Sequence, residues 1–350
     1  MREGGTTNVR RVNELGISRP TLVTGGGGFI GGHLVARLRA IGFERVRAVD
    51  RKPLHEWYQT FDDVDSQVAD LSSIDACQDA ADGMTYVFHL AADMGGMGFI
   101  EHNKALCMLS VLPSTNMLVA AQEAGAERYF YSSSACVYAE GKQTSAEVTA
   151  LRENDAYPAM PEDGYGWEKL FSERMARHFL EDFGLPTRVA RYHNVYGPMG
   201  TYDGGREKAP AAICRKVIAA KLDGTREIEI WGDGNQTRSF MYIDDCLDGT
   251  LRLTASEYPH PLNLGSSELV TINQLVSICE DIAGVTLRRH YVVDAPVGVR
   301  GRNSENSRIR AELGWEPSIS LVDGLERTYA WIYDQMTSSA GPHVPARART

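Results

Sequence analysis

The sequence predicts an α/β protein of the Rossmann type, with a doubly wound parallel sheet and a smaller α/β substrate domain near the C-terminal end. Short apolar strand patterns alternate with helical patterns over the first half of the chain, which is the order of a parallel sheet covered by helices on both faces. A glycine-rich turn lies between the first strand pattern and the first helical pattern, as in dinucleotide-binding βαβ units. Beyond residue 191 the pattern changes to longer glycine-rich stretches.

The elements of the first half follow one another in a regular order. Short apolar runs predict strands, namely Thr21–Thr24, Val46–Val49, Ser66–Ala69, Thr85–Leu90, Arg128–Ser132 and Thr187–Arg191. Apolar residues at helical spacing predict helices over Phe29–Ile41, much of Asn103–Gly125 and Tyr165–Phe183. Pro113 lies inside the second helical pattern and should kink it, because proline has no N–H to donate.

The second half is predicted to form most of the substrate domain. Helical patterns cover Ala209–Lys221, Thr271–Ala283 and Ser320–Met336. We expect a dinucleotide-binding domain over 20–191, with 239–266 returning to it, and a substrate domain built from 192–238 and 267–337. The polar ends, 1–19 and 338–350, are expected to be a disordered leader and a disordered tail.

Composition limits the function classes. The formal net charge of −10 argues against nonspecific binding to nucleic acid or to an anionic membrane. No stretch approaches the roughly 20 apolar residues that span a bilayer, and the N-terminus shows no signal-peptide pattern. The six cysteines form no CxxC pair and show no Cys/His ligand spacing, so neither a metal site nor a disulfide framework is predicted. A reducing cytoplasm fits this pattern.

The glycine-rich turn has the spacing GxxGxxG, formed by Gly25, Gly28 and Gly31. Glycine permits a tight turn and lets the backbone approach a pyrophosphate, whose charge is stabilised by the N-terminus of the following helix. A glycine triplet alone is weak evidence, since many turns are rich in glycine. Its position between a strand and a helix is the context that a dinucleotide site requires.

Acidic residues at the next strand ends favour NAD. Asp50 ends the second strand 19 residues beyond Gly31, where a carboxylate accepts from ribose hydroxyls and repels a 2′-phosphate. Arg51 and Lys52 follow directly, so NADP stays open as an alternative. Asp70 and Leu71 end the third strand and are candidates for the adenine edge, although Asp70 is also an ordinary turn residue.

The pair Tyr165 and Lys169 has the spacing YxxxK within a predicted helix, which places both side chains on one helical face. An ammonium near a phenol favours the phenolate, so the tyrosine can serve as a base. Such a pair also arises by chance. Ser134 follows the preceding strand, and its hydroxyl could hold a substrate oxygen. The order of glycine-rich loop, serine-tipped strand and YxxxK resembles that of the short-chain dehydrogenases/reductases.

Longer strings narrow this resemblance to one family. They are Leu90–Ile100 (LAADMGGMGFI), Ser133–Tyr138 (SSACVY), His193–Pro198 (HNVYGP), Gly204–Ala212 (GGREKAPAA), Trp231–Phe240 (WGDGNQTRSF) and Val299–Ser304 (VRGRNS). Over roughly Pro20 to Met336 the chain resembles the GDP-mannose 3,5-epimerase family, an extended branch of the short-chain dehydrogenases/reductases. The resemblance implies a tightly bound NAD and a GDP-mannose or related GDP-hexose substrate.

The resemblance also implies a mechanism. Tyr165 would take the proton of the C4 hydroxyl while hydride passes to NAD, and the resulting ketone would make the protons on C3 and C5 acidic. Cys136 and Lys208 would then remove a proton from one face of the ring and return one to the other. GDP-L-galactose and GDP-L-gulose are both possible products, because inversion at C5 alone or at both carbons stays open. Cys136 needs a lowered pKa for this role, which Lys208 or the nicotinamide could supply.

The expected site residues fall into three sets. The catalytic set is Ser134, Cys136, Tyr165, Lys169 and Lys208. The cofactor set is Gly25, Gly28, Phe29, Ile30, Gly31, Asp50, Asp70, Leu71, Leu90, Ala91, Ala92, Tyr165 and Lys169. The substrate set is Gly95, Gly96, Met97, Ser134, Asn194, Lys208, Lys216, Gln236, Arg300 and Arg302.

Two departures from the family pattern concern the proton relay and the catalytic turn. Leu109-Ser110-Val111 stands where relatives carry asparagines that support a proton relay, and Ala139 replaces a proline. Three alternative functions stay open: a 4-epimerase, an enzyme similar to GDP-fucose synthase, and a noncatalytic dinucleotide sensor. The resemblance implies a homodimer formed through the YxxxK helix and its neighbour. Apolar residues of that helix at helical spacing are Leu170, Phe171, Met175 and Phe179.

Overall fold

The structure, a computed structural model, describes residues 15–338. Its strands, numbered along the chain, are β1 (Thr21–Thr24), β2 (Val46–Asp50), β3 (Asp65–Val68), β4 (Tyr86–His89), β5 (Arg128–Ser134), β6 (Thr187–Tyr192), β7 (Val195–Tyr196), β8 (Glu227–Trp231), β9 (Thr237–Ser239), β10 (Met241–Tyr242), β11 (Leu262–Leu264), β12 (Leu269–Thr271), β13 (Arg288–Val292) and β14 (Gly301–Arg302). Its α-helices are α1 (Phe29–Ile41), α2 (Ile74–Ala81), α3 (Met97–His102), α4 (Lys104–Met108), α5 (Val111–Glu123), α6 (Asp163–Phe183), α7 (Ala209–Asp223), α8 (Ile243–Ala255), α9 (Ile272–Ala283), α10 (Ser307–Leu313) and α11 (Leu321–Thr337). Short 3₁₀ turns cover Leu54–Glu56, Ala135–Val137, Glu140–Lys142 and Glu153–Ala156.

The main sheet has seven parallel strands in the spatial order β11-β6-β5-β4-β1-β2-β3. This is the 3-2-1-4-5-6 order of dinucleotide-binding folds with one strand added beside β6. The order reverses between β1 and β4, so a crevice opens at the carboxyl ends of these strands, where such folds bind ligands. The predicted fold class is therefore confirmed.

Apolar residues are buried on both faces of the main sheet, because helices pack on each side and successive residues of a strand point to opposite faces. Val23 of β1 lies in one apolar cluster with Leu34 of α1, whereas its neighbour Leu22 lies in a second cluster with Met117 of α5. The first cluster continues without interruption into the C-terminal region, where it includes apolar residues of α7, α9 and α11. The two parts of the molecule therefore share one core.

The C-terminal region contains three small sheets. Strand β8 pairs with β13, β9 pairs with β12 and β14, and β7 pairs with β10. The segment 239–266 contributes α8 and β11, and β11 pairs with β6 at the edge of the main sheet. The sequence pattern left β8 unassigned, although its outward and inward residues alternate.

The helical pattern over 103–125 is broken into α4 and α5, and the break lies at Leu109–Ser110 rather than at Pro113. Pro113 occupies the first turn of α5, where a missing N–H costs little. Since Pro113 has no N–H to donate to Leu109, the Leu109 carbonyl accepts instead from the N–H of Leu112, at 3.0 Å. Instead of the predicted kink at Pro113, the helix is interrupted completely, and the interruption begins at Leu109, four residues earlier.

One helical stretch within 15–338, Lys104–Glu123, is long and apolar enough to cross a membrane by length and composition alone. This corrects the expectation that no stretch approaches that length. In the structure the stretch consists of α4 and α5, and both helices pack lengthwise against α6. Part of its apolar surface is left exposed.

The expected leader and tail lie mostly outside the described residues, which begin at 15 and end at 338. Of the five leader residues described, Leu15 is buried in the core, and the Gly16 N–H donates to the Tyr86 hydroxyl at 3.3 Å. Residues 15–19 are therefore part of the folded domain, and the expectation of disorder is wrong for them. At the other end, Ser338 directly follows α11.

Candidate active site

The glycine-rich loop leaves no room for side chains where it meets helix α1. A Cβ at Gly31 would lie 2.0 Å from the Gly25 carbonyl oxygen, so only glycine fits there, and Gly25 itself has a φ of +72°. Helix α1 starts at Phe29, after Gly28, without a side-chain cap. The N–H groups of its first turn, including that of Ile30, are therefore available to a phosphate. This geometry fits the pyrophosphate of NAD.

The end of β2 is arranged for an unphosphorylated ribose. Asp50 accepts from the N–H groups of Gly27 (3.1 Å) and Lys52 (3.0 Å), which fixes its carboxylate at the strand end. The Lys52 ammonium donates to the Gly27 carbonyl at 3.0 Å, and Arg51 pairs with Asp93 at 2.6 Å. Both cations that kept NADP open are thus held by protein groups, while the acidic side chain remains in place.

The other expected cofactor residues line the same edge of the sheet. Leu90, Ala91 and Ala92 follow β4 and are half-buried. The N–H groups of the first two lie 3.2 and 3.3 Å from the Thr24 hydroxyl. Asp70 is exposed and accepts from the Ser72 N–H, which lowers its pKa. The Leu71 side chain is buried in the core, so only its backbone faces outward.

The hydride-transfer residues meet at the carboxyl end of β5. Ser134 ends the strand, and Tyr165 and Lys169 lie one turn apart near the start of α6. The Lys169 ammonium is 5.7 Å from the centre of the Tyr165 ring and donates to the Tyr131 hydroxyl at 3.2 Å. Burial raises the pKa of Tyr165 well above its ordinary value, and a hydrogen bond with Ser134 opposes this rise. The phenol is therefore protonated before ligands bind.

Cys136 lies beside this group but not on the strand. Strand β5 ends at Ser134, and Cys136 lies in the 3₁₀ turn that follows it. The Cys136 N–H donates to the Ser134 hydroxyl at 3.2 Å. Its thiol packs with Tyr165 and Ile100. Burial, followed by the Glu162 carboxylate, raises the pKa of Cys136 to about 11. The lowered pKa that the role of Cys136 needs is therefore not found in the ligand-free protein, which holds a thiol.

Lys208 lies directly before α7, as its sequence position predicts, and its side chain makes no capping hydrogen bond. Burial lowers the pKa of its ammonium, and the nearby Cys136 opposes that shift. The ammonium makes no hydrogen bond or ion pair with any residue in 15–338. The loop that carries it packs against the expected sugar loop of Gly95, Gly96 and Met97. The Gly96 N–H donates to the Arg206 carbonyl at 3.0 Å, and a Cβ there would lie 2.3 Å from the backbone of Glu207.

Asp93 links the two sides of the crevice. Its buried carboxylate pairs with Arg51 at 2.6 Å and with Arg206 at 2.7 Å. The Arg206 guanidinium also lies 3.8 Å over the Phe99 ring. The sequence argument did not single out Asp93 or Arg206, although both lie in the strings that carry the family resemblance.

Three of the expected substrate residues surround the turn that follows β8. The Lys216 ammonium lies 5.9 Å from the centre of the Trp231 ring, and the Gln236 amide donates to the Trp231 carbonyl at 2.8 Å. Arg300 makes two hydrogen bonds of 2.8 Å to Asp233 in the same turn. The Trp231 side chain is 41% exposed. Lys216 is paired with Glu229 at 3.3 Å, as Arg300 is with Asp233, so phosphates would have to displace these carboxylates. The exposed aromatic face of Trp231 suits a nucleotide base.

The two remaining substrate candidates lie elsewhere. Arg302, expected to contact GDP, is buried behind the catalytic turn, where it pairs with Glu162 at 2.7 Å and donates to the Cys136 sulfur at 3.5 Å. Its charge lowers the pKa of that thiol against the effect of burial. Asn194 adopts a φ of +45° and donates to the Ser239 carbonyl at 3.0 Å. Arg302 therefore supports Cys136 in this structure and does not extend towards the Trp231 turn.

The part of the chain that the structure describes contains no set of side chains arranged to bind a metal ion. No group of three or more His, Cys, Asp or Glu side chains there is placed to hold a metal ion. The six cysteines are buried and free, and the sulfur atoms of Cys214 and Cys279 lie 3.8 Å apart.

Comparison with known proteins agrees with this geometry. A model of the NAD dependent epimerase/dehydratase family matches residues 21–265. GDP-mannose 3,5-epimerase 1 of Oryza sativa subsp. japonica is 46% identical over 315 residues, which cover 90% of this chain and 82% of that protein. GDP-mannose 3,5-epimerase of Arabidopsis thaliana is 44% identical over the same length and coverage.

The fold has close counterparts among solved structures. UDP-glucose 4-epimerase of Thermotoga maritima, solved with UDP-glucose, superimposes with a TM-score of 0.82 at 25% identity, covering 91% of this chain and 99% of that one. The glycine-rich loop, the acidic end of β2 and the Ser134, Tyr165 and Lys169 group lie within the residues that the family model matches. The chain belongs to the NAD-dependent epimerase/dehydratase family.

Proposed function

We propose that this protein epimerises GDP-D-mannose at C5 and C3 through a 4-keto intermediate, giving GDP-L-galactose, GDP-L-gulose or both. The observation that carries the proposal is a second acid–base pair, Cys136 and Lys208, beside the hydride-transfer residues. The identity of 44–46% to two GDP-mannose 3,5-epimerases supports the choice of substrate. The exposed Trp231 turn, with Lys216 and Arg300, is the proposed seat of the GDP moiety.

The chemistry begins at C4, because the protons on C3 and C5 of a hexose become acidic only next to a carbonyl group. When bound, NAD supplies the oxidation of C4 and its later reduction. Tyr165 takes the proton of the C4 hydroxyl, and the Ser134 hydroxyl holds the same oxygen. Lys169 places a positive charge near the phenol, which favours the phenolate once the substrate excludes water.

The ring protons are then moved by Cys136 and Lys208. Burial lowers the pKa of Lys208 and raises that of Cys136 to about 11. These directions favour a neutral amine and a protonated thiol before the first proton transfer. Lys208 is therefore the group ready to accept a ring proton, and Cys136 is the group ready to donate one to the other face.

A 4-epimerase is the main alternative, because the fold is shared with enzymes of that kind. That reaction needs hydride transfer at C4 but no further acid or base at C3 and C5. The Lys208 side chain, which pairs with no protein group within 15–338, and the Cys136 thiol beside Tyr165 would then have no chemical task. The arrangement of these two groups favours 3,5-epimerisation, and a reductase or a noncatalytic sensor would leave the same groups unused.

We also propose a homodimer in the cytoplasm. Helices α4 and α5 both pack against α6, and this group of helices exposes several apolar side chains, namely Leu106, Met108, Leu109, Leu112, Trp167 and Phe171. An apolar patch of this kind on a soluble fold marks an interaction surface. Of the four residues that the sequence suggested for the interface, Phe171 is exposed and can contribute to it. Leu170 and Phe179 are instead buried in the core. Six buried free thiols fit a reducing compartment.

The proposal is tested by separating oxidation from ring-proton exchange. With GDP-mannose in deuterated water, Cys136→Ala and Lys208→Ala should still reduce the bound NAD transiently, while solvent deuterium exchange falls by roughly 10²–10⁴-fold. Tyr165→Phe should abolish both signals. Exchange at the wild-type rate in both the Cys136 and the Lys208 variants would show that the pair is structural and would overturn the proposal.

A further inference from the structure

We infer that Glu168 is a positioning residue for the hydride-transfer step: its buried carboxylate holds Lys169 through Tyr131 and balances the charge of that ammonium beside Tyr165. The inference rests on the oxidation step of the proposed function. The YxxxK motif leaves position 168 unspecified, so the sequence pattern assigned this residue no role.

The Glu168 carboxylate is buried, and only one of its two oxygens accepts hydrogen bonds. The Glu168 side chain has no exposed surface. One oxygen, Oε1, accepts from the hydroxyls of Ser114 (3.2 Å), Tyr131 (3.1 Å) and Ser172 (3.0 Å), which belong to α5, β5 and α6. The other, Oε2, has no hydrogen-bond partner and lies 3.7 Å from the Lys169 ammonium. A buried, half-paired carboxylate is costly, so its position next to that cation calls for a role in charge balance.

Tyr131 connects the carboxylate to the lysine. The Lys169 ammonium donates to the Tyr131 hydroxyl at 3.2 Å, and that hydroxyl donates in turn to Glu168. The ammonium also lies 4.8 Å from the centre of the Tyr131 ring. The His89 ring stacks on Tyr131 with the two ring centres 6.0 Å apart, which fixes the ring from strand β4. Lys169 is thus held by a chain of contacts that ends at Glu168.

The surroundings of Glu168 contain one cation and several neutral acids. The titratable groups that face this site from α6, β5, α4 and β4 are Lys169, Tyr165, Tyr131, Tyr129, Cys107 and His89. Burial lowers the pKa of His89 to about 3, so it is neutral. Lys169 is the only cation in this set, which is drawn from the described residues. The negative charge of Glu168 therefore raises the pKa of Tyr165, against the effect of the Lys169 charge. A phenol with its pKa set between these two charges can lose its proton when C4 is oxidised and regain one when C4 is reduced.

The test uses Glu168→Gln, which keeps the shape and removes the charge. In the NAD-bound enzyme without sugar, ionisation of Tyr165 is followed by ultraviolet difference absorbance, with Tyr165→Phe as the blank. The midpoint should fall by about one pH unit or more, because a charge a few ångströms away has been removed. In the pH profile of NAD reduction by GDP-mannose, the rise in rate on the acid side should shift to lower pH as well. The maximal rate should fall by roughly 10- to 100-fold, because Lys169 is less well held.

Two further variants separate positioning from stability. Glu168→Asp keeps the charge and should leave the ionisation midpoint near the wild-type value. Glu181→Gln, on the exposed part of α6, should change neither measurement. A folded Glu168→Gln enzyme with a wild-type midpoint and pH profile would overturn the inference. If the wild-type enzyme fails to reduce NAD with GDP-mannose, the proposed function fails instead, while the ionisation measurement still tests Glu168.

Tyr131→Phe covers the case in which Glu168→Gln does not fold. This change removes the connecting hydroxyl and leaves the carboxylate charge in place. NAD reduction should slow by roughly 10-fold or more, with the Tyr165 midpoint close to that of the wild type. A folded Tyr131→Phe enzyme with an unchanged reduction rate would overturn the holding role of Glu168.

Discussion

Cys136 and Lys208 are close enough for the charge of Cys136 to raise the pKa of Lys208. Burial has the larger effect, and it lowers the pKa of Lys208 and raises that of Cys136. The buried amine loses its charge more readily than a free lysine, and the buried thiol keeps its proton until about pH 11. A ligand-free active site that holds a Cys136 thiol differs from the thiolate that the sequence led us to expect. The difference follows from burial, which a motif cannot reveal.

This pair predicts a pH dependence for ring-proton exchange. As pH rises through the lowered pKa of Lys208, more of the amine form becomes available, so the exchange rate relative to the rate of C4 oxidation should rise. It should fall only towards pH 11, where Cys136 loses its proton. The measurement is the initial rate of deuterium incorporation divided by the rate of NAD reduction at each pH. A ratio that falls as pH rises from neutral would contradict the assignment of Lys208 as the first base.

The sequence predicted the residues that chemistry constrains by identity and spacing. Ser134, Tyr165 and Lys169 meet as the motif requires, and Lys208 lies directly before helix α7. The surroundings of Cys136 could not be predicted, because Glu162 and Arg302 are far apart in the chain and meet only through the fold. Glu168 shows the same limit, since its contacts come from three separate elements.

At the scale of elements, the loop between β1 and α1 is the least tolerant of change. Gly31→Ala would place a Cβ 2.0 Å from the Gly25 carbonyl, so either the loop or the helix must move. We expect loss of copurified NAD and a decrease of about 1–3 kcal/mol in the free energy of unfolding. Chromatographic quantification of NAD and urea denaturation check this.

Gly32→Ala is the matched control for the loop. Its new methyl group would come no closer than 3.3 Å to its nearest neighbour, the end of the flexible Gln59 side chain. NAD content and stability should stay close to the wild-type values. Equal NAD content in the Gly31 and Gly32 variants would contradict the role given to the loop.

The exposed apolar face of α4, α5 and α6 predicts that dimerisation can be broken by a charge. Phe171 is 50% exposed on this face, so Phe171→Glu should give a monomer by light scattering at micromolar concentration, because burying an unpaired charge in an interface is costly. Leu222→Glu, at an equally exposed apolar site on α7, should leave the mass unchanged. A monomeric wild-type protein would refute the homodimer.

Element boundaries followed from the sequence to within a residue or two where periodicity was strong, as in α1 and α6. The division of 103–125 into α4 and α5 was harder to predict, because the pattern remains apolar across the break. The small strands of the C-terminal region escaped prediction for a different reason: each is short, and their pairing depends on segments that are distant in the sequence.

For the whole molecule, two buried histidines predict sensitivity to acid. Burial lowers the pKa values of His89 and His193 to about 3, against 6.5 for an exposed histidine. Below pH 6.5 the unfolded chain therefore binds protons that the folded chain does not, so stability is present above pH 6.5 and is lost as pH falls. Between pH 6.5 and 4.5 these two residues should lower the free energy of unfolding by up to about 2.7 kcal/mol per pH unit.

Urea denaturation over this pH range measures the effect. Replacing one buried histidine, as in His193→Asn, should reduce the slope by about half, because each group contributes about 1.4 kcal/mol per pH unit. His55→Asn, at a largely exposed position, should leave the slope unchanged. A free energy of unfolding that stays constant between pH 6.5 and 4.5 would contradict the neutral state of both rings.

The central claim is that hydride transfer at C4 and proton transfer at the neighbouring carbons occur in one active site. The direct measurement is nuclear magnetic resonance of GDP-D-mannose incubated with the purified enzyme in deuterated water, without added NAD. The account predicts deuterium at C5, and at C3 if both centres invert, together with new GDP-hexose signals and no net consumption of NAD. Retention of every carbon-bound proton after long incubation would contradict it.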